Sequence, residues 1–129
     1  MFTNNKVIYP ELSYKIVGLL YEIHTELGKN LQEKYYQRAV EEGLTDLHIP
    51  FRRELKADLY FHDKKIGCYF LDFLVDAKIV LELKAVPKLG RDNFRQVLSY
   101  LKVNDLDLGI LVNFRQEKLE FHRVLNANK

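Results

Sequence analysis

Apolar residues recur at helical spacing near the start of the chain. From Glu11 onward, Leu12, Ile16, Leu19, Leu20, Ile23 and Leu27 form one stripe, which predicts an amphipathic helix that stops at Gly28. A second helix is predicted from Leu31 to about Glu42, with Gly43 as its C-terminal cap. Asn30 suits its N-cap, and Glu33 three residues on completes the pattern of a capping box. After Pro50 the period changes. Phe51 to Tyr60 reads as a strand, His62 to Lys65 as a turn, and Ile66 to Val75 as a second strand rich in aromatic and β-branched residues. Asp76-Ala77-Lys78 is a tight connection, and Ile79 to Val86 a third strand whose Ile-Val-Leu run predicts burial on both faces. Pro87 and Gly90 break the chain before a third helix, Asp92 to Val103, with Phe94, Val97, Leu98 and Leu101 as its stripe. Leu108 to Phe114 and Leu119 to Leu125 are the last two strands, joined by a turn over Arg115 to Lys118.

The predicted order is ααβββαββ. Three strands joined by short turns make an antiparallel meander. The third and fourth are joined through a helix, so they should lie parallel in a right-handed crossover. The fold class is therefore α/β (α+β), a mixed sheet flanked by helices. The 129 residues suit a single domain spanning 1–129, and 47% hydrophobic with 29% charged residues excludes a disordered chain. With 20 basic and 18 acidic residues the net charge is +2, so any role with nucleic acid must come from local arrangement. The one cysteine, Cys68, makes no internal disulfide and no zinc site alone. It is expected as a small buried hydrophobe in a reducing, cytoplasmic setting. No apolar run is long enough to span a membrane, and Met1 to Pro10 does not resemble a secretion signal.

Glu82-Leu83-Lys84 interrupts the most apolar strand. Residues i and i+2 of a strand share a face, so Glu82 and Lys84 point one way and Leu83 the other. Two charges on a central strand are costly unless paired or bound to something. Asp72 lies in the preceding strand. A two-residue turn at Asp76-Ala77 would place it opposite Leu81, whereas a three-residue loop through Lys78 would place it across from Glu82. Two carboxylates so close repel unless a cation joins them, and oxygen ligands suit Mg²⁺ or Mn²⁺. The bland alternatives are a Glu82–Lys84 ion pair on an exposed sheet face, Asp72 paired to a cation without metal, and Glu33 as a capping residue only. Gln96 reads as a polar helix-edge residue, and Tyr21, Tyr35 and Tyr36 as core or interface. His24, His48, His62 and His122 lack metal-ligand spacing, Ser13 and Ser99 lack a nucleophile elbow, and no Gly-rich phosphate loop occurs.

Asp72, nine intervening residues and Glu82-Leu83-Lys84 resemble the signature of PD-(D/E)XK nucleases. More narrowly, the chain resembles the bacterial GxxExxY proteins of that superfamily over about Val17 to Val124. The resemblance is carried by Leu27-Gly28, Leu31, Glu33, Tyr36, Ala39, Asp72 to Val75, Glu82 to Val86, Gln96 through Leu101, Gly109 to Phe114 and Lys118 to Phe121. Asn30 stands where the motif has its first glycine, and Leu71 where the superfamily name has its proline. The resemblance implies a restriction-endonuclease-like fold and metal-dependent hydrolysis of phosphodiester bonds in nucleic acid, DNA before RNA. Asp72, Glu82 and the Leu83 backbone carbonyl would hold Mg²⁺ or Mn²⁺, with Glu33 as an extra ligand or close support. Lys84 would orient the attacking water. Gln96 and Tyr100, one helical turn apart, resemble a QxxxY element that supports such sites. Lys88, Arg91, Arg95 and Tyr100 would contact nucleic acid. A binding or assembly protein that keeps the nuclease fold, including a homo-oligomer, is the alternative.

Overall fold

The structure, a computed structural model, describes residues 8–127. Its elements are α1 (Pro10–Leu27), α2 (Glu33–Asp46), β1 (Phe51–Phe61), β2 (Lys64–Val75), β3 (Ile79–Lys84), α3 (Arg91–Val103), β4 (Leu108–Asn113) and β5 (Glu120–Leu125). The strands form one sheet in the order β1-β2-β3-β4-β5. β3 and β4 are parallel and every other pair is antiparallel, the mixed topology that the sequence predicts.

The sheet separates two apolar layers. On one face, α1 and α2 bury Ile16, Leu20, Tyr36, Val40 and Leu44 against Phe73, Ile79, Leu81, Leu83 and Ile110. On the other, α3 packs Val97, Tyr100 and Leu101 onto Leu55, Leu71, Val80, Leu111 and Val124. β3 and β4 supply residues to both layers, which explains why their sequences are nearly continuous in apolar residues.

α2 departs from expectation at both ends. It starts at Glu33, its flanking residue is Gln32, and no side chain caps it, so the Asn30–Glu33 capping box does not form. The chain before it is held differently. Tyr36 Oη donates to the Gly28 carbonyl at 2.6 Å and accepts from the Leu31 amide at 3.2 Å, while its ring stacks on Phe114 at 4.3 Å. The positive φ in this connection falls on Gly28, at 76°. At the other end Gly43 lies inside the helix. A β-carbon there would collide with the Leu19 side chain, so this glycine allows α1 and α2 to approach and does not terminate α2. Cys68 also departs from expectation, since it is exposed on β2.

β1 and β2 change face in mid-strand. Arg53 pairs with Phe73, and two residues further along Leu55 pairs with Leu71. The first pair belongs to the α2 side, with Arg53 over the Phe73 ring at 4.4 Å. The second belongs to the α3 layer. Between them Glu54 sits at φ 56°, a left-handed conformation that glutamate rarely adopts. Asp72 lies across from this turnover point, where both layers can reach it.

Candidate active site

The loop between β2 and β3 decides where Asp72 falls. Val75 pairs with Ile79, Leu74 with Val80 and Phe73 with Leu81, so the connection has three residues. Two of them, Asp76 and Ala77, are left-handed at φ 52° and 54°. The next position in this register sets Asp72 across from Glu82. Backbone pairing stops there and the side chains take it over. The Asp72 amide donates to Glu82 Oε1 at 2.9 Å, and the Leu83 amide donates to Asp72 Oδ2 at 2.7 Å.

Glu82 is only 3% exposed. Lys84 Nζ lies 3.5 Å from Glu82 Oε2. Burial pushes the Glu82 carboxyl up, the neighbouring Asp72 charge pushes it further, and Lys84 offsets only part of this, leaving it at about 8. Burial also raises Asp72, although the Leu83 amide, a hydrogen bond from Glu82 and the Lys84 and Arg53 charges pull it back. Near neutral pH the two carboxyls thus share a proton, held on the Glu82 side.

Glu33, in the first turn of α2, has its carboxyl raised by burial; the Lys84 charge and the Ala85 amide pull it back, while the Asp72 charge adds to the rise. Arg115 fixes this junction. Its guanidinium donates to the carbonyls of Lys29 at 2.6 Å, Leu31 at 2.9 Å and Ala85 at 3.3 Å. It thereby ties the entry to α2 to the end of β3. Asn113, at the end of β4, holds the same loop by pairing its side-chain amide with the Val86 amide and carbonyl.

Two site residues carry no sequence motif. Gln37 donates to Asp72 Oδ1 at 2.9 Å. Arg53 donates to the Asp72 carbonyl at 3.0 Å and to Gln37 Oε1 at 3.4 Å, and pairs with Glu41 at 3.1 Å. Gln37 is four residues after Glu33, on the same helix face. That spacing is the signal that finds it once Glu33 is placed.

α3 and the residues just before it carry the remaining candidates. Tyr69 Oη donates to the Gln96 carbonyl at 3.1 Å, so Gln96 meets the site's margin through its backbone. Tyr100 is 6% exposed and lies within the α3-side core, which makes it a packing residue and removes it from any surface that nucleic acid could touch. Lys88, Arg91 and Arg95 are exposed on and just before the first turns of α3, and Arg95 lies 3.9 Å from Asp92.

The donor set fits a hard divalent cation through Asp72, Glu82 and one backbone group. Among the described residues no three His, Cys, Asp or Glu side chains are gathered closely enough to hold a metal by themselves. The Leu83 amide faces Asp72, and a strand residue turns its carbonyl to the same edge as its amide. Each carboxylate also keeps lone pairs beyond those its donors use. Oxygen donors of this kind suit Mg²⁺ or Mn²⁺.

The sequence profile of the PD-(D/E)XK nuclease superfamily matches residues 10–124, and the chain belongs to that superfamily. No curated protein matches its sequence. Among solved structures, the crystal structure of SSO0001 superposes with a TM-score of 0.54 at 17% identity, covering 90% of this chain and 58% of that one. That likeness bears on the fold alone, which is restriction-endonuclease-like. The chain spans little more than half the length of that structure. No helix among the described residues is long and apolar enough to cross a membrane.

Proposed function

We propose that the chain hydrolyses phosphodiester bonds of nucleic acid, DNA before RNA, with Mg²⁺ or Mn²⁺ held by Asp72, Glu82 and the Leu83 carbonyl. The observation that carries this is the pair of facing carboxyls, each bound by an amide of the other's strand, with Glu82 buried beside Lys84. A fold gains nothing from such a pair, whereas a divalent cation turns its repulsion into affinity. Divalent metals are typical of the superfamily to which the chain belongs.

When bound, the cation lowers the pKa of its water and stabilises charge on the phosphate. The chain's own residues do the rest. Lys84, beside Glu82, orients the attacking water and offsets developing negative charge on the phosphate. Gln37 and the Leu83 amide hold Asp72 in one rotamer. Arg53 pins its backbone. Glu33, within range of the Lys84 and Asp72 charges, serves as an extra ligand or close support. Lys88, Arg91 and Arg95 take flanking phosphates.

The test is cleavage of end-labelled single- and double-stranded DNA and RNA with Mg²⁺ or Mn²⁺. Cleavage is expected only with a divalent ion. It should fall about a thousandfold in Glu82→Gln and in Lys84→Met, both still folded. Failure to cleave any of these substrates, or undiminished cleavage by Glu82→Gln, overturns the proposal.

A further inference from the structure

Between the exposed sides of α1 and α2 lies a groove of about 540 Å³ that shares no residue with the Asp72–Glu82 site. Its floor is apolar, with Leu19, Ile23 and Leu27 from α1 and Ala39 and Leu47 from the α2 side. Leu19 and Ile23 are buried, but Leu27 and Leu47 remain 42% and 44% exposed. Its rim carries four carboxylates, Glu22 and Glu26 on α1 and Glu42 and Asp46 on α2, against one cation, Lys15. Each pair of rim residues is spaced i, i+4, so it stands in line along its helix. From Lys15 to Leu27 the groove follows α1 for roughly 18 Å, or about three turns.

Two glycines line the groove, and the fold accounts for one of them. Gly43 leaves room for the Leu19 side chain. Gly18 lies in the middle of α1 at an exposed position, and a β-carbon there would meet nothing within 4 Å. A glycine in mid-helix weakens the helix relative to alanine. No contact among the described residues offsets that cost. What the missing side chain does provide is a gap in the groove wall, through which another backbone can approach α1 closely.

We propose that this groove is the docking site for a basic amphipathic helix of a partner protein. Charge selects the occupant. Glu42 has Arg38 at 3.8 Å, but Glu22, Glu26 and Asp46 form no ion pair among the described residues. A negative rim of this kind complements lysines or arginines that flank an apolar stripe. It repels nucleic acid and anionic lipid. It also disfavours a second copy seated groove to groove, because a two-fold axis would set the same carboxylates against each other. The walls select the shape. Two helices with a line of apolar residues between them receive a third helix by ordinary ridge-and-groove packing. The partner's apolar positions, three or four residues apart, would lie on Leu19, Ile23 and Leu27, with its backbone nearest α1 at Gly18.

The proposal does not rest on the hydrolytic reading, because its test uses neither metal nor nucleic acid. Binding is followed by fluorescence anisotropy with three labelled peptides long enough for about five helical turns. The first is built of alanine, leucine and lysine, with leucines in one helical stripe and lysines on both flanks. The second has glutamates in place of the lysines, and the third is the first with its order scrambled. The first should bind with a dissociation constant of about 50 µM or tighter, and the other two at least about tenfold more weakly. Gly18→Leu fills the gap and favours the helix, so it should keep the fold and weaken binding about tenfold or more. Glu22→Gln/Glu26→Gln/Asp46→Asn, all at exposed positions, should weaken it by a similar factor and flatten its salt dependence. Without any peptide, Gly18→Ala should raise the melting temperature. Several results would overturn the proposal: no binding of the lysine peptide up to about 500 µM, equal binding of the scrambled peptide, or binding indifferent to Gly18→Leu or to the loss of the carboxylates. A lower melting temperature for Gly18→Ala would overturn it too, since the glycine would then serve the fold.

Discussion

β3 and β4 are parallel neighbours of six residues each, at the centre of the same sheet. β4 is buried throughout and apolar until Asn113; β3 is equally buried up to Lys84 but turns charged halfway along. In register, Glu82 lies beside Leu111 and Lys84 beside Asn113. The environment is shared, so the contrast isolates the chemistry. Asn113 is fully buried yet satisfied, because the Val86 amide and carbonyl both meet its side chain, and a buried polar group with its partners in place costs little. Glu82 also has a donor, the Asp72 amide, but it stands beside a second carboxyl and holds a proton well above the usual carboxylate range. The sheet thus accommodates polarity at this end, and what it accommodates poorly is the Asp72–Glu82 pair. That localises the functional cost to two side chains.

Three substitutions separate these cases. The largest effect is expected from Leu111→Glu, which moves the charge one strand over, to a site with no amide waiting for it. It should destabilise the protein by about 3–5 kcal/mol in denaturant titrations, whereas a loss below about 1 kcal/mol would mean that β3 is not specially prepared for Glu82. A smaller effect of opposite sign is expected from Glu82→Gln in the presence of a chelator. The folded pKa of Glu82 is raised, so its contribution to stability is complete below about pH 4.5 and is lost as the pH rises through about 8. Glutamine keeps an oxygen for the Asp72 amide and never ionises. The variant should match wild type near pH 4 and exceed it by about 2–3 kcal/mol at pH 8.5, and equal stability at both pH values would contradict the shared proton. The smallest effect falls on Gln37→Leu, which leaves both ligands in place but frees Asp72 Oδ1. Metal affinity should drop about 10–100-fold while the melting temperature hardly changes, and unaltered affinity would remove Gln37 from the site.

The sequence reveals the site where charge breaks an apolar pattern. Glu82 and Lys84 stand out because Ile79 to Leu83 is otherwise apolar, and Asp72 follows once the loop is known to have three residues. That loop length is not legible, because Asp76 and Ala77 are non-glycine residues in left-handed turns and nothing in their identity demands it. Gln37 and Arg53 look like ordinary polar residues of a helix and a strand. Arg53 acquires its role only because Glu54 reverses the strand's faces, a backbone event that leaves no mark on composition. The start of α2 is misread for a related reason. Asn30 and Glu33 fit a capping box, but Tyr36, five residues on, takes the Leu31 amide, and Arg115, more than eighty residues away, takes the Lys29 and Leu31 carbonyls, a partner that a local rule cannot foresee.

The most direct measurement is calorimetric titration of the chain with Mg²⁺ and Mn²⁺ near pH 7, in buffers of different ionisation enthalpy, beside the Asp72→Asn/Glu82→Gln variant. The account predicts binding between micromolar and millimolar that the variant lacks. It also predicts release of nearly one proton per ion, since Glu82 titrates at about 8, with that release fading as the pH rises above this value. Binding that survives in the variant, or that releases no proton at pH 7, would contradict a divalent cation seated between Asp72 and Glu82.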